Sequence, residues 1–323
     1  MIQLRSGSKF NIGNFVQQYM IVFILIAMLI IFSNTAMNFL AVRNIFNIFL
    51  QASPYGIMAL GMTCLIINGY FDLSAGVVMC LAANLTVKLQ YLGLVPSILI
   101  ALAVSAAIGY YNGILVTKVK INAFIVTLST MLIVRGVVYY LTNADSLTST
   151  IPEFAMITSA KIGGINYVSI LMFALYIVFA IVMKKTLHGR NTYAIGGNSD
   201  AAFNAGIKIS KVEIINFVLT ALTAGAGGII IASRMSGTSV TLGWPDGALN
   251  IIACVVIGGT SLTGGRGGIW YTLGGVFAFT LLRNGLNMMS VIGAMNYIVT
   301  GAILIGIIYL DWIKLSNAQK KLK

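Results

Sequence analysis

Charge is the scarcest ingredient of this sequence. Only 8% of its 323 residues are Asp, Glu, Lys or Arg, and just seven of them are acids. Soluble domains carry about 25% charged residues to keep their surfaces wet, so a globule surrounded by water is excluded. A single histidine, His188, leaves His-based metal sites and catalytic triads nothing to build with. The three cysteines, Cys64, Cys80 and Cys254, sit in apolar stretches without CxxC spacing. They read as small buried hydrophobes, not as disulfides or metal ligands. No GxxxxGK followed by Ser or Thr occurs. The nearest string, SLTGGRGG at 261–268, has Arg266 where a phosphate loop needs Lys with Ser or Thr. It reads as a tight turn in which glycine permits positive φ, and any ATP used must be bound by another subunit. A membrane enzyme would need acids or nucleophiles clustered at one depth, and these are missing too.

What the sequence has in abundance is apolar: 59% hydrophobic residues and a mean hydropathy of +0.95. The apolar runs approach 20 residues, the length that crosses a bilayer. Lipid offers the backbone no hydrogen bonds, so such runs fold as helices. Ten spans are predicted, at 19–38, 45–68, 73–89, 95–117, 121–142, 167–183, 212–232, 249–259, 269–289 and 294–310. The third and eighth are short and interrupted by polar or glycine-rich sequence, as segments that line a cavity or lie inside protein often are. The predicted fold class is an all-α integral membrane protein of about ten helices. Residues 1–18 form an N-terminal segment, 19–312 one transmembrane domain and 313–323 a basic tail. The first 15 residues, MIQLRSGSKFNIGNF, are polar and basic for too long to open a cleaved signal, so the first span is expected to be retained.

The net charge of +13 is explained by topology and not by a nucleic acid partner. With the N-terminus inside, fourteen of the twenty Lys and Arg fall on cytoplasmic segments, chiefly 184–211 and the two termini. Four, Arg43, Lys88, Lys161 and Arg234, fall outside, and Arg135 and Arg283 fall within spans. That asymmetry predicts cytoplasmic termini. The longest outer loop is 143–166 and the longest inner one 184–211, as a protein that meets a partner on each face requires; plain connections remain the alternative for both.

The acids are expected at the ends of spans, with Asp72 and Glu213 towards the inside and Asp246 outside. Ion-coupled carriers usually keep ionisable groups near the midplane, so this placement weakens that class. Arg135 and Arg283 stand seven and six residues before the outer ends of their spans, about 10 Å deep at 1.5 Å per residue. They either snorkel outwards or face the outer mouth of a pathway. ALTAGAGG at 221–228 reads as a close-packing face. CLIINGYFDLSAG at 64–76 is weakly echoed by CVVIGGTSLTGG at 254–265.

Five strings in order carry a family resemblance: NGYFDLSAG (68–76), INAFIVTLSTM (121–131), HGRNTYAIGGNSDAAFNAGI (188–207), VVIGGTSLTGGRGG (255–268) and RNGLNMM (283–289). With them the chain resembles the ribose-type permease subunits of bacterial ABC sugar importers, over about residues 44–311. Departures from the family's pattern fall at Phe71, Ala75, Ala123 and Asn250. The resemblance implies an inner-membrane permease that binds no cofactor itself. It implies a cytoplasmic ABC ATPase that uses the ATP, a second permease copy or paralogue, an extracytoplasmic solute-binding protein and surrounding lipid as partners. The segment matching Gly196, Gly197, Asn198, Ala201, Ala202 and Gly206 is similar to the family's ATPase-coupling helix. Asp200 to Ala205 suits a short helix on a small-residue surface. Candidate pathway or gate residues are Asn68, Asp72, Ser74, Gly76, Arg135, Arg283, Asn284 and Asn287, with Asn112, Thr127 and Ser129 as further polar groups. Each polar group could instead bond to a neighbouring helix. A sugar is the first expectation for the solute. A nucleoside, a signalling furanose or a branched-chain amino acid comes next, and an ion-coupled secondary carrier last.

Overall fold

The computed structural model describes residues 12–291 and the pairs 294–295, 298–299, 301–302 and 305–306, with side chains from residue 21 onward. The predicted tenth span falls largely outside the described residues, as does most of the segment 1–18. The basic tail 313–323 falls wholly outside them.

Nine predicted spans appear as helices: α1 (Ile12–Thr35), α2 (Val42–Ile67), α3 (Ala75–Lys88), α4 (Leu94–Thr117), α5 (Ala123–Thr142), α7 (Tyr167–Lys185), α10 (Ile209–Met235), α11 (Gly247–Ile257) and α12 (Ile269–Met288). Between them lie three shorter helices, α6 (Pro152–Ser159), α8 (Leu187–Gly197) and α9 (Ser199–Asn204). Among the described residues the strands are only two-residue pairs. β1 (Leu147–Thr148) joins β4 (Gly237–Thr238), and β2 (Lys161–Ile162) joins β3 (Ile165–Asn166), both antiparallel. The protein is an all-α membrane protein. Five helices, α2, α4, α5, α7 and α10, are long and apolar enough to cross a bilayer.

The most apolar window of α2 is 83% buried, whereas those of α4, α5 and α7 are 22–28% buried. α2 is therefore an interior helix, while the other three turn most of their surface out of the bundle. α10 packs against α2, α3 and α4, and the small residues of 221–228 serve this packing. A Cβ on Gly228 would strike the Met79 carbonyl oxygen, and one on Gly109 of α4 would lie 2.6 Å from the Phe217 carbonyl oxygen. Backbones this close gain dispersion contacts that lipid cannot replace.

Two sets of contacts define the ends of the bundle. At the basic end, Gly265 N–H donates to Ile67 O at 2.8 Å, and Gly113 packs on Ile214. At the opposite end, Ser149 Oγ donates to Gln90 Oε1 at 3.0 Å and Ser233 Oγ to Phe154 O at 2.6 Å.

α3 and α11 do not cross. Their N-termini meet inside the bundle: a Cβ on Gly76 would lie 2.8 Å from Ala248 N and 2.9 Å from Gly243 O. From there α3 runs to the opposite end, where Lys88 Nζ donates to Leu141 O. α11 runs to the basic end, where Gly258 packs on Tyr271 and Thr272. At 1.5 Å per residue Gly76 lies about 18 Å below Lys88, near the middle of a hydrocarbon core about 30 Å thick. The stretches 68–74 and 236–246 thus enter the bundle from opposite ends as irregular chain shielded by protein. Asp72 and Asp246 are consequently not at the ends, as their sequence positions suggested. They lie on chain that leads to the interior junction.

Candidate functional site

Three polar places stand out, one at each end and one between. At the interior junction Asp72 is fully buried, and its Oδ1 accepts from Ser74 N–H at 2.7 Å and Ser74 Oγ–H at 2.6 Å. Asn112 of α4 donates from Nδ2 to Ser74 Oγ at 3.0 Å, and Thr130 of α5 donates to Asn112 Oδ1 at 2.6 Å. All four side chains are buried, and the second Asp72 oxygen, Oδ2, meets no donor among the described residues. Asp72 thereby closes a tight turn onto Ser74, the residue just before α3, and the relay ties that half-helix to α4 and α5. Thr127 instead turns back to the Ala123 carbonyl of its own helix. Gly76 acts by its missing side chain, letting the two half-helices touch.

At the opposite end a cavity of about 400 Å³ opens between α2, α10 and α12, lined by Gln51, Tyr55, Arg234, Thr280, Arg283 and Asn287 among others. Arg283 Nη1 donates to Tyr55 Oη at 2.9 Å, and its guanidinium lies 5.8 Å and 5.5 Å from the Tyr55 and Phe279 ring centres. Among the described residues no carboxylate lines the cavity. Its polar groups are the two arginines, Arg234 and Arg283, with amide and hydroxyl groups beside the aromatic faces of Tyr55 and Phe279.

The other predicted site residues lie elsewhere. Arg135 stacks 3.7 Å above Trp244 and donates to Tyr139 Oη at 2.9 Å, so it holds the re-entrant stretch 236–246 against α5. Asn284 exchanges hydrogen bonds of 3.0 and 3.1 Å with Asn44, joining α12 to the start of α2. Asn68 is at the basic end, where its Oδ1 accepts from Asn216 Nδ2 at 2.9 Å. Asn216 Oδ1 in turn meets His188 Nε2 at 2.9 Å, which accounts for the single histidine as a structural partner. Nearby, burial and then the charge of Glu213 push the Tyr70 hydroxyl up to about 12, so it remains a donor at physiological pH.

The basic-end loop 184–211 folds into α8 and α9. Thr186 caps α8 through Gly189 N–H, and Asn198 caps α9 through Ala201 N–H at 2.9 Å. α8 docks by its backbone: a Cβ on Gly196 would run into Ile67 O, and one on Gly264 would lie 3.0 Å from Gly196 O and Gly69 Cα. α9 has two faces. Ala202 points inward, 4% exposed among Ile195 and Val212. Asp200, Ala201 and Phe203 point outward with Gly197 and Gly206 exposed beside them, and Phe203 is 71% exposed. The faint echo between 64–76 and 254–265 is a shared helix ending. Gly69 and Gly259 have φ of +96° and +98°, and Tyr70 N and Thr260 N each bond five residues back.

The chain is 36% identical to the ribose import permease of Bacillus subtilis over 89% of its own length and 90% of the relative's. It is 34% identical to the L-arabinose transport system permease of Escherichia coli (94% and 93%) and 30% identical to an L-arabinose ABC transporter permease of Azospirillum brasilense (90% and 86%). A family model described as branched-chain amino acid transport system / permease component matches residues 44–308. The chain belongs to the ribose-type permeases of bacterial ABC importers. No solved structure matches it. As an ABC permease it is a transport subunit and a multi-pass protein of the bacterial cell (inner) membrane.

Three features of this permease escaped the sequence reading. Tyr55 and Gln51 looked like ordinary residues of an apolar run. Thr130 lies one helical turn from Thr127 and outranked it only once α4 was in place. Phe203 carried one signal, a large apolar residue amid small and polar neighbours.

Proposed function

We propose that this permease forms the translocation pathway for a neutral monosaccharide of the ribose or arabinose class, driven by a separate cytoplasmic ATPase. The observation that carries the solute class is the 30–36% identity to ribose and arabinose permeases along nearly the whole chain; the carboxylate-free, aromatic and amide lining of the opposite-end cavity agrees with it. Ten segments cross the membrane, two of them as a half-helix (α3 or α11) completed by irregular chain, and both termini are cytoplasmic, so the basic end faces the cytoplasm. A solute-binding protein delivers sugar to the cavity at Tyr55, Arg283 and Asn287, and a second permease copy or paralogue completes the pathway. The outward face of α9, with Asp200, Ala201 and Phe203, enters a groove of the ATPase. Movement of α8 and α9 reaches α2 and the turn 258–268 through the glycine contacts of Gly196 and Gly264. The interior junction of α3 and α11 is where the accessible face changes.

The test is uptake of labelled ribose and arabinose into proteoliposomes holding the permease with its ATPase and binding protein. Uptake should require ATP and survive collapse of ion gradients; uptake without an ATPase that stops with the gradient would overturn the proposal. The family description favours branched-chain amino acids as a second reading. An α-amino acid's carboxylate would find Arg234 and Arg283, but its ammonium group would want an acidic partner, which the cavity lacks among the described residues. Competition by leucine but not by ribose would reverse the order of the two.

A further inference from the structure

A second cavity, of about 750 Å³, lies at the basic end on the lipid-facing side, between the end of α7, the first turns of α8 and the start of α12. Its composition is divided. Met183 and Ile269 supply apolar wall, Lys184 and Arg190 supply positive charge, and Trp270 and Tyr271 stand at the rim, 55% and 47% exposed. Among the described residues no carboxylate lines it. The start of α12 adds the positive end of a 20-residue helix.

We propose that this cavity binds an anionic phospholipid of the cytoplasmic leaflet, the phosphate between Lys184 and Arg190 and an acyl chain along α7. Three observations select a lipid over a soluble anion. The α7 stripe leading to Lys184 is apolar and half exposed, with Ile177 and Ile181 at 52% and 50%, one helical turn apart. Trp and Tyr mark the headgroup level of a bilayer, and both occur at the rim. Basic pockets between spans on the cytoplasmic side are where anionic headgroups are held.

The position gives the lipid a structural consequence. Arg190 and Tyr193 lie on α8, and Tyr193 Oη donates to Gly267 O at 3.0 Å. A lipid in the cavity would therefore bridge α7, the coupling segment and the turn before α12. The inference rests on the permease orientation given above only for the choice of leaflet, since binding can be read without transport.

The experiment is native mass spectrometry of the full-length permease purified in mild detergent, titrated with phosphatidylglycerol or phosphatidylcholine. Preferential retention of phosphatidylglycerol is expected. Each basic residue contributes about fivefold to holding an anionic headgroup, so K184A/R190A should lose more than tenfold of the preference. K185A, which removes the neighbouring charge that does not line the cavity, should keep it. Equal retention of the two lipids by the wild type, or equal losses in K185A and K184A/R190A, would overturn the proposal. Should the double variant fail to fold, thermal unfolding of the wild type in nanodiscs of either lipid decides: a higher Tm in phosphatidylglycerol supports the site, and equal Tm values refute it.

Discussion

Phe203 and Ala202 are adjacent on a six-residue helix yet face opposite ways, which makes them a paired test of ATPase coupling. Phe203 is 71% exposed, whereas Ala202 is 4% exposed against Ile195 and Val212. Burying a phenyl side chain is worth about 1.5–3 kcal/mol, and most of the Phe203 surface is still available for burial. Phe203→Ala should therefore cost about 1–2 kcal/mol of ATPase affinity, roughly a 5- to 30-fold weaker Kd at 1.4 kcal/mol per tenfold. It should leave the Tm of the isolated permease unchanged. Ala202→Asp should do the reverse first, because an unpaired charge among apolar side chains costs several kcal/mol. The permease itself should melt earlier, and binding should fall as a consequence. Titrating the ATPase against permease in nanodiscs, with a melting curve for each variant, reads both quantities. A Phe203→Ala variant that melts normally and binds the ATPase within twofold of wild type would refute the outward face of α9 as the docking surface.

Further outcomes follow from the interior and the opposite-end cavity. Gly76→Val places carbon 2.8–2.9 Å from backbone atoms of Gly243 and Ala248, an overpacking cost of about 1–3 kcal/mol that should lower Tm in detergent and abolish uptake together. Asn112→Ala leaves the Thr130 hydroxyl without its Asn112 acceptor and should cost about 1–3 kcal/mol. In a cycle with Thr130→Val the two effects should be clearly less than additive in unfolding measurements. Arg283→Ala and Tyr55→Phe, which break one 2.9 Å hydrogen bond from either side, should each lower sugar uptake several-fold, with the double variant little worse than Arg283→Ala. Uptake at wild-type rates in both single variants would remove that cavity from the pathway.

Much of the fold is legible in the chain because lipid makes the rule simple: apolar runs must satisfy their own backbone and become helices. The bounds of α4, α5, α7 and α12 accordingly fall within about two residues of the predicted spans. A short helix at 200–205 was legible from its small residues, and the structure shows it as Ser199–Asn204, capped by Asn198. Its facing was not, since Ala201 and Ala202 are the same residue type and only packing against Val212 distinguishes them.

The sequence by itself determined that the chain lives in lipid, that its spans are helical, that it contains no GxxxxGK followed by Ser or Thr, and that its motifs resemble those of sugar permeases. Tertiary structure decided where the polar residues go. Asp72 and Asp246, 174 positions apart in the chain, come to one interior junction because Gly76 and Gly247 let two half-helices touch. Arg135 and Arg283, alike in sequence, part company because one finds Trp244 and the other Tyr55. Hydropathy is a property of each segment and can be read along the chain. The partner of a buried polar group belongs to another segment, and only the packed bundle names it.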